Sequence, residues 1–239
     1  MVVSHCLCAV RPQVATRAGV CLIMADIEAL KPSNTGWLIA DVVADTFAFG
    51  WARTEVDPAL LALLADPQWQ PYVVFPGEFV AAERVVTQLI SHNAAPQFPA
   101  GPPQGELAPV RSDPCGSGGS DPRSGGAWGR PLFILLDATW PEARKMFRKS
   151  PYLDKLPVLS LASDQISRYK LRRSRRDEHF CTSEVAALCL DLAGEPLAAQ
   201  TLEAYLDVFT HHYLRAKSQL PVLWDGEAHL QLRSLVGRS

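Results

Sequence analysis

The hydrophobic positions of this 239-residue chain fall into short runs separated by polar and amphipathic stretches. The central run, Leu132–Leu136, is five consecutive apolar residues, which is typical of a strand buried on both faces of a parallel sheet. Similar runs predict strands at residues 20–24, 46–51, 70–75 and 156–161. Apolar residues at helical spacing predict helices over residues 37–43, 57–66, 185–193 and 197–217. This alternation favours an α/β fold, with a mostly parallel sheet and flanking helices.

Residues 92–129 differ from the rest in being rich in Pro, Gly and Ser, which predicts a flexible insertion between two strands. Neither flanking half supplies a core of its own, so we predict a single domain over residues 20–220. An N-terminal remnant (1–19) precedes it and a C-terminal tail (221–239) follows. No apolar run is long enough to span a bilayer and the start lacks a secretory pattern, so we expect a cytoplasmic protein with no membrane contact and no obligate protein partner.

Positive charge is concentrated in one part of the chain, although the formal net charge is only −2. Eleven of the 23 Lys and Arg residues lie between Arg144 and Arg176. Within this region six of the nine residues 168–176 are basic, and Tyr169 lies among them. A solvated loop is the ordinary explanation, but phosphate backbones select such charge density and a tyrosine can stack on an unpaired base. We therefore predict contacts with nucleic acid.

The candidate metal ligands do not form a complete set. Cys6 and Cys8 form a C-x-C motif beside His5, whereas a structural zinc site usually takes four ligands. We therefore predict no metal site, and interpret the pair as a remnant or partial metal knuckle. All six cysteines are expected to be reduced. His211 and His212 are adjacent on a predicted helix and point in different directions, so we interpret them as surface or boundary residues.

The strongest candidate catalytic residues lie where the central predicted strand is followed by a predicted helix. Asp137 ends the central strand, and Trp140 follows it. Thr139 is predicted to cap the next helix, because Glu142 lies three residues on and Pro141 occupies an early turn. Ligands of open α/β sheets bind beyond the carboxyl ends of the strands, which makes Asp137 and Trp140 candidate catalytic residues. A capping or packing role is the alternative.

Other candidates lie at the ends of predicted elements. An F-P-G turn after the third predicted strand leaves backbone open to approach by a ligand. Asn34 is either a helix cap or a ligand contact, and Glu184 is ordinarily a first-turn partner of the helix dipole. The glycine-rich fingerprint of dinucleotide enzymes, the P-loop and the G-x-S-x-G elbow are all absent from the sequence. The candidates in these segments are Asn34, Thr35, Phe75, Pro76, Gly77, Thr182 and Glu184.

Several motifs together resemble the DTW-domain family. DATW at residues 137–140 resembles the D-x-T-W signature, and PEARKMFRKSPYLDKLPV continues that block. KPSNTGWLIAD, VVFPGE, SRYKLR and CTSEVA resemble further blocks in the family's order, over roughly Val20 to Lys217. The likeness is greatest to the bacterial tRNA-uridine aminocarboxypropyltransferases. The chain departs from the family in lacking the C-x-x-C pair ahead of C-x-C, and in having Trp37 where a small or basic residue is usual.

The resemblance implies an enzyme that transfers the 3-amino-3-carboxypropyl group of S-adenosylmethionine to uridine N3 in tRNA and releases methylthioadenosine. In the bacterial branch the target is the variable-loop uridine at tRNA position 47. The resemblance also implies a SPOUT-like fold with a knotted cofactor-binding region, an exception to the rule that chains are unknotted. A SPOUT-type tRNA methyltransferase and a non-enzymatic RNA-binding module remain as alternatives.

The resemblance gives the candidate residues roles. Asp137 is either the base for the N3 proton or a ligand of the cofactor's amino group. A sulfonium is already a good leaving group, so catalysis needs no metal. The residues expected to bind the cofactor are Phe75, Pro76, Gly77, Asp137, Thr139, Trp140, Thr182 and Glu184. Those expected to bind tRNA are Asn34, Thr35, Arg144, Lys145, Arg148, Arg168, Tyr169, Arg172 and Arg173.

Overall fold

A computed structural model of the protein describes residues 3–89, 129–161 and 180–237. Within these ranges the strands are β1 (Gly19–Met24), β2 (Thr46–Gly50), β3 (Trp69–Val74), β4 (Val85–Val86), β5 (Arg130–Asp137) and β6 (Val158–Leu159). They form one open sheet in the order β2-β1-β5-β3-β6-β4, and every pairing is parallel. The predicted α/β class is confirmed, and a knotted SPOUT-like topology stays a prediction.

The helices agree closely with the predicted ones. They are α1 (Gly36–Val42), α2 (Pro58–Ala65), α3 (Trp140–Arg148), α4 (Thr182–Leu192), α5 (Pro196–Lys217) and α6 (Glu227–Val236). The first five match predicted helices, whereas α6 lies in the segment interpreted as a tail. Among the described residues, no helix has the length and apolar character needed to cross a membrane.

Side chains alternate between two cores because both faces of the sheet are covered. In β1, Val20, Leu22 and Met24 belong to a core built around α5, which we term the α5 core. Cys21 and Ile23 point the other way, into a core that includes α3, which we term the α3 core. Since successive side chains of a strand point to opposite faces, an unbroken apolar run is what a doubly covered strand requires. The α5 core also receives α1, α4 and α6, and the α3 core receives α2.

The carboxyl ends of β1 and β5 form a crevice. The two strands are neighbours, with Met24 opposite Asp137 in register. The chain leaves β1 for α1 on the α5-core face, but leaves β5 for α3 on the opposite face. Such a divergence between adjacent parallel strands is the topological switch point at which ligands bind in open α/β sheets. The fold therefore places Asp137 where a site is expected.

Both ends of the described chain contribute to the α5 core. Short 3-10 helices form at Val3–His5 and Cys8–Val10, and Leu7 and Val14 are buried in this core. At the other end α6 inserts Leu232 and Leu235, along with partly buried Ala228. The segments interpreted as a remnant and a tail thus pack on the same core as the central helices.

The structure differs from the expectation that all six cysteines are reduced, because Cys6 and Cys8 are joined in a disulfide. Their Cα atoms lie 5.5 Å apart, within the usual range for a disulfide. Cys21, Cys181 and Cys189 are free thiols. Burial raises the pKa of Cys21 to about 12, so this thiol stays neutral as part of the α3 core.

The interpretation of His212 as a surface or boundary residue is wrong, because its side chain is fully buried. Its Nδ1 lies 3.0 Å from the carbonyl oxygen of His5 and so donates to it, which leaves Nε2 as an acceptor. His229 Nε2, 2.9 Å away, donates to that nitrogen. His5 Nε2 donates in turn to the carbonyl oxygen of Leu220 at 2.9 Å. These three imidazoles connect the N-terminal segment to α5 and α6.

This histidine cluster predicts acid-sensitive stability. Burial, followed by nearby positive charge, lowers the pKa of His212 and of His229 below the ordinary value. The unfolded chain therefore binds protons at pH values where the folded chain does not. The stability contributed by the neutral pair is present above about pH 6.5 and is lost as the pH falls below it. We expect the free energy of unfolding, measured in urea, to decline across this window.

The double variant His212→Asn with His229→Gln tests whether these two histidines cause the acid sensitivity. Each replacement retains an N–H donor but does not titrate. We expect lower stability at neutral pH because packing is lost, together with a shallower dependence on pH below about 6.5. An unchanged slope would show that other groups cause the acid sensitivity.

Candidate active site

The site is built around Asp137, the last residue of β5, whose side chain is 3% exposed. Its Oδ2 accepts a hydrogen bond from Asn34 Nδ2 at 2.7 Å, and its Oδ1 accepts one from the Thr182 hydroxyl at 2.6 Å. The two donors come from the loop after β1 and from the start of α4. One carboxylate thus joins three elements at the carboxyl edge of the sheet, and both of its oxygens accept hydrogen bonds.

The loop between β1 and α1 approaches Asp137 closely. Asn34 Oδ1 accepts the backbone N–H of Gly36 at 2.8 Å, so Asn34 organises the start of α1 as well as contacting Asp137. The N-cap of α1 is Thr35, so Asn34 bonds the first helical N–H from one position before the cap, and a ligand contact by Asn34 stays a prediction. A Cβ on Gly36 would lie 2.7 Å from Asp137 Oδ2, closer than real Cβ contacts allow. Gly36 is required here for close approach to the carboxylate.

The start of α4 closes another side of the site. Glu184 accepts the backbone N–H of Cys181 at 2.7 Å, the capping-box geometry that orders this turn. The Ser183 backbone N–H reaches the hydroxyl of Thr35 at 3.3 Å. Burial, then the charge of Glu184, raises the pKa of Cys181 to about 12, so its thiol is neutral and poorly suited to be a nucleophile. The carboxylate of Glu184 thus stabilises the first turn of its own helix, which is the role ordinarily expected at this position.

An aromatic wall of four residues flanks this edge, with members from the segment after β3 and from α3. Phe75 stacks between Phe147, at a centroid distance of 4.3 Å, and Trp140, at 5.4 Å. Phe79 meets Phe75 and Trp140 edge-on at 6.1 and 5.5 Å. Phe75 is buried, whereas Trp140 is 37% and Phe79 39% exposed. Partly exposed rings on a rigid stack suit recognition of a planar or cationic group.

Cations border the aromatic wall. The Arg144 guanidinium lies 4.7 Å from the ring centroid of Phe79, and that of Arg84 lies 5.7 Å from Phe147. Arg84 also donates to the carbonyl oxygens of Leu153 and Leu156, so its position is fixed. Arg144 is exposed and directed along the wall, where it can meet an anion.

The first turn of α3 forms as predicted. Thr139 is the N-cap, and the Glu142 carboxylate accepts its hydroxyl and, at 3.2 Å, its backbone N–H. The Thr139 hydroxyl is the main cause that holds the pKa of Glu142 below its usual value, and the charges of Lys31 and Lys145 act in the same direction. Glu142 is therefore ionised at neutral pH, close to Lys31 on the neighbouring loop.

The backbone of the F-P-G turn is largely engaged. Gly77 donates its N–H to the hydroxyl of Ser160 at 3.0 Å, and its carbonyl oxygen accepts from Val80 at 3.0 Å. A Cβ at Gly77 would approach Ser160 Oγ and Val85 Cγ1 to 3.1 Å, so this glycine allows the turn to pack on β4 and β6. The carbonyl oxygen of Pro76 accepts from Phe79 and thereby presents that ring.

The predicted site residues fall into four groups. Those at the carboxylate are Asp137, its donors Asn34 and Thr182, and Thr35, which lies next to Asn34 in sequence and accepts from the backbone of Ser183. Those in the aromatic wall or on the capped helix α3 are Phe75, Thr139, Trp140, Arg144, Lys145 and Arg148, with Arg144 over Phe79 and Lys145 over Trp51. Those engaged in local turns and caps are Pro76, Gly77 and Glu184. Arg168, Tyr169, Arg172 and Arg173 lie outside the described residues.

Sequence reasoning missed four residues of this edge. Phe147 follows Trp140 by seven positions, a spacing that could have placed both on one face of α3. Phe79 had no such signal, and neither did Glu28 and Lys31, which form an ion pair on the loop before Asn34. In the ranges that the structure describes, no group of three or more His, Cys, Asp or Glu side chains could hold a metal ion.

Comparison with known proteins identifies the family of this chain. A family profile described as the DTW domain matches residues 1–214. A curated protein of Drosophila melanogaster, tRNA-uridine aminocarboxypropyltransferase 2, is 37% identical over 70 residues. The aligned part is 29% of this chain and 28% of that relative, so the chain spans well under a third of the relative's length. No solved structure matches the chain at a significant level.

Proposed function

This chain belongs to the DTW-domain family, and we propose that it is a tRNA-uridine aminocarboxypropyltransferase. Its reaction is the transfer of the 3-amino-3-carboxypropyl group from S-adenosylmethionine to N3 of a uridine in tRNA, with release of methylthioadenosine. The name of the Drosophila relative supports a role in tRNA modification. The observation that carries the proposal is the Asp137 carboxylate, fixed by Asn34 and Thr182 at the switch point beside an aromatic wall.

The residue types at this edge suit the charged and aromatic groups of S-adenosylmethionine. When bound, it supplies a γ-carbon made electrophilic by the neighbouring sulfonium. Asp137 provides a buried carboxylate for the amino group, and Asn34 and Thr182 hold both of its oxygens in place. Trp140 and Phe79 are partly exposed aromatic side chains, a residue type that attracts a sulfonium by cation–π interaction and accepts an adenine by stacking.

For Asp137 we favour the role of amino-group ligand over that of general base. A base must reach the N3 proton of a nucleotide within a bulky RNA, yet the Asp137 side chain is only 3% exposed. Both of its oxygens already accept hydrogen bonds from fixed donors. Asp137 therefore acts by holding the reacting carbon in line with N3, and such positioning can supply several kcal/mol of the barrier. Trp140, at the rim, walls the space where the uracil enters.

The tRNA is held by cations near the aromatic wall. Arg144, Lys145 and Arg148 are exposed on α3, so they can meet phosphates while the target base reaches the site. The basic stretch 168–176, outside the described residues, adds further phosphate contacts in this proposal. The variable-loop uridine at tRNA position 47 is the proposed target, and the cytoplasm is the proposed location.

The proposal is tested by the mass of the product. Purified protein is incubated with unmodified tRNA and S-adenosylmethionine, and the RNA is digested to nucleosides for mass spectrometry. We expect 3-(3-amino-3-carboxypropyl)uridine in the RNA and methylthioadenosine in solution. A tRNA in which the variable-loop uridine is replaced by cytidine is the matched control and should stay unmodified.

Two other outcomes would contradict the proposed reaction. Methyluridine with S-adenosylhomocysteine would identify a methyltransferase that uses the same co-substrate. No modified nucleoside, with RNA binding intact and no affinity for S-adenosylmethionine, would identify an RNA-binding module.

A further inference from the structure

The loop that leads from β1 to Asn34 carries a partly buried ion pair. Lys31 Nζ lies 2.5 Å from Glu28 Oε1. The Glu28 side chain is 1% exposed, whereas 32% of the Lys31 side chain is exposed. A buried carboxylate is costly without a positive partner, so the pair fixes the lysine head in place. The ammonium has three N–H donors, of which Glu28 receives one, and its exposed side can therefore donate to a second anion.

Two observations place Lys31 near this edge of the sheet. The Lys31 carbonyl oxygen accepts the backbone N–H of Asn34 at 2.9 Å, and the Asn34 side chain donates to Asp137. On the other side is Glu142, whose pKa is lowered chiefly by Thr139 and also by the charge of Lys31. Thr139 is only two residues beyond Asp137. Lys31 thus belongs to the loop whose Asn34 holds the Asp137 carboxylate, and its charge acts on the first turn of the helix that follows Asp137.

We propose that Lys31 binds the carboxylate of the amino-acid part of S-adenosylmethionine and makes the site selective for a donor that carries it. This inference rests on the proposed function. The transferred group bears an ammonium and a carboxylate on one carbon, so its recognition requires an anion and a cation a few ångströms apart. Asp137 supplies the anion and Lys31 supplies the cation. Glu28 acts through Lys31, as a positioning residue that keeps the ammonium at the rim.

Decarboxylated S-adenosylmethionine isolates this contact, because it retains the sulfonium, the adenosine and the amine but lacks the carboxylate. Binding of both ligands to the full chain, without RNA, is measured by calorimetry. We expect the wild-type protein to prefer S-adenosylmethionine by about 10- to 100-fold, the range of a charge-assisted hydrogen bond. Lys31→Met should abolish this preference by weakening only the carboxylated ligand. Lys155→Met, which removes an exposed lysine elsewhere, should retain it.

Lys31→Met leaves Glu28 buried without its lysine, so the double variant Glu28→Gln with Lys31→Met is tested in parallel. We expect the same loss of preference in the double variant.

The remaining results overturn either the role of Lys31 or the proposed function. Equal binding of the two ligands by the wild-type protein, or a preference that survives in the variants, overturns the role of Lys31 and leaves the proposed reaction standing. Weaker tRNA binding with an unchanged ligand preference identifies Lys31 as a phosphate contact and also overturns it. Absence of binding of either ligand to the wild-type protein refutes the proposed function itself.

Discussion

Asp137→Asn is expected to lower aminocarboxypropyl transfer by about a hundred- to a thousand-fold, the range seen when one fixed electrostatic contact is removed from an active site. The substitution preserves shape but replaces one acceptor oxygen by an N–H₂ donor. Asn34 and Thr182 both donate to Asp137, so one of them would then face another donor. The negative charge that receives the amino group is lost at the same time. Transfer is measured by the yield of modified nucleoside at saturating tRNA.

Two further measurements on Asp137→Asn separate the possible roles of the carboxylate. A ligand of the amino group predicts weaker binding of S-adenosylmethionine, whereas a general base predicts unchanged binding with slower chemistry. The affinity for tRNA should change little, because Asp137 is buried. Asp154→Asn, an exposed acid just beyond α3, is the matched control and should transfer normally. Loss of tRNA binding in Asp137→Asn would falsify its assignment to the co-substrate.

Gly36→Ala is expected to lower transfer by about a hundred-fold, the typical result of displacing a reacting group by roughly 1 Å. The added Cβ would lie 2.7 Å from Asp137 Oδ2 and 3.1 Å from Asn34 Oδ1. The carboxylate or the loop must therefore move, and the bond between Asn34 and Asp137 is distorted. Alanine is the better helix former by about 1 kcal/mol, which offsets part of the strain. The melting temperature should accordingly change less than the activity.

Gly50→Ala provides the matched control, because a Cβ at this strand end meets no atom within 4 Å. We expect its yield of modified nucleoside to equal that of the wild-type protein. If Gly36→Ala is also fully active, then the close packing around Asp137 is not needed for transfer and the site must lie elsewhere.

Local sequence determined the elements that position the site. The apolar run Leu132–Leu136 predicted the buried central strand, and Thr139 with Glu142 predicted the start of α3. These features depend on the strand period and on side chains within one turn of each other, so neighbouring residues suffice to specify them. Asp137 could be assigned to a strand end for the same reason. The family blocks added an expected reaction, and the family itself is confirmed by the match over residues 1–214.

Only the tertiary structure decided which side chains meet. Asn34 and Asp137 are 103 residues apart in sequence. Phe79, in the segment after β3, contacts Trp140, in the helix after β5. His212 follows buried Tyr205, Val208 and Phe209 at helical spacing, but only the tertiary structure shows that α6 and the N-terminal segment cover it. Helix capping and strand burial are local, whereas the pairing of loops at the edge of a sheet depends on strand order. The sequence by itself therefore determined the α/β class, the strand end at Asp137 and the capped helix after it. The packing of the sheet determined the partners of Asp137, the aromatic wall and the position of Lys31.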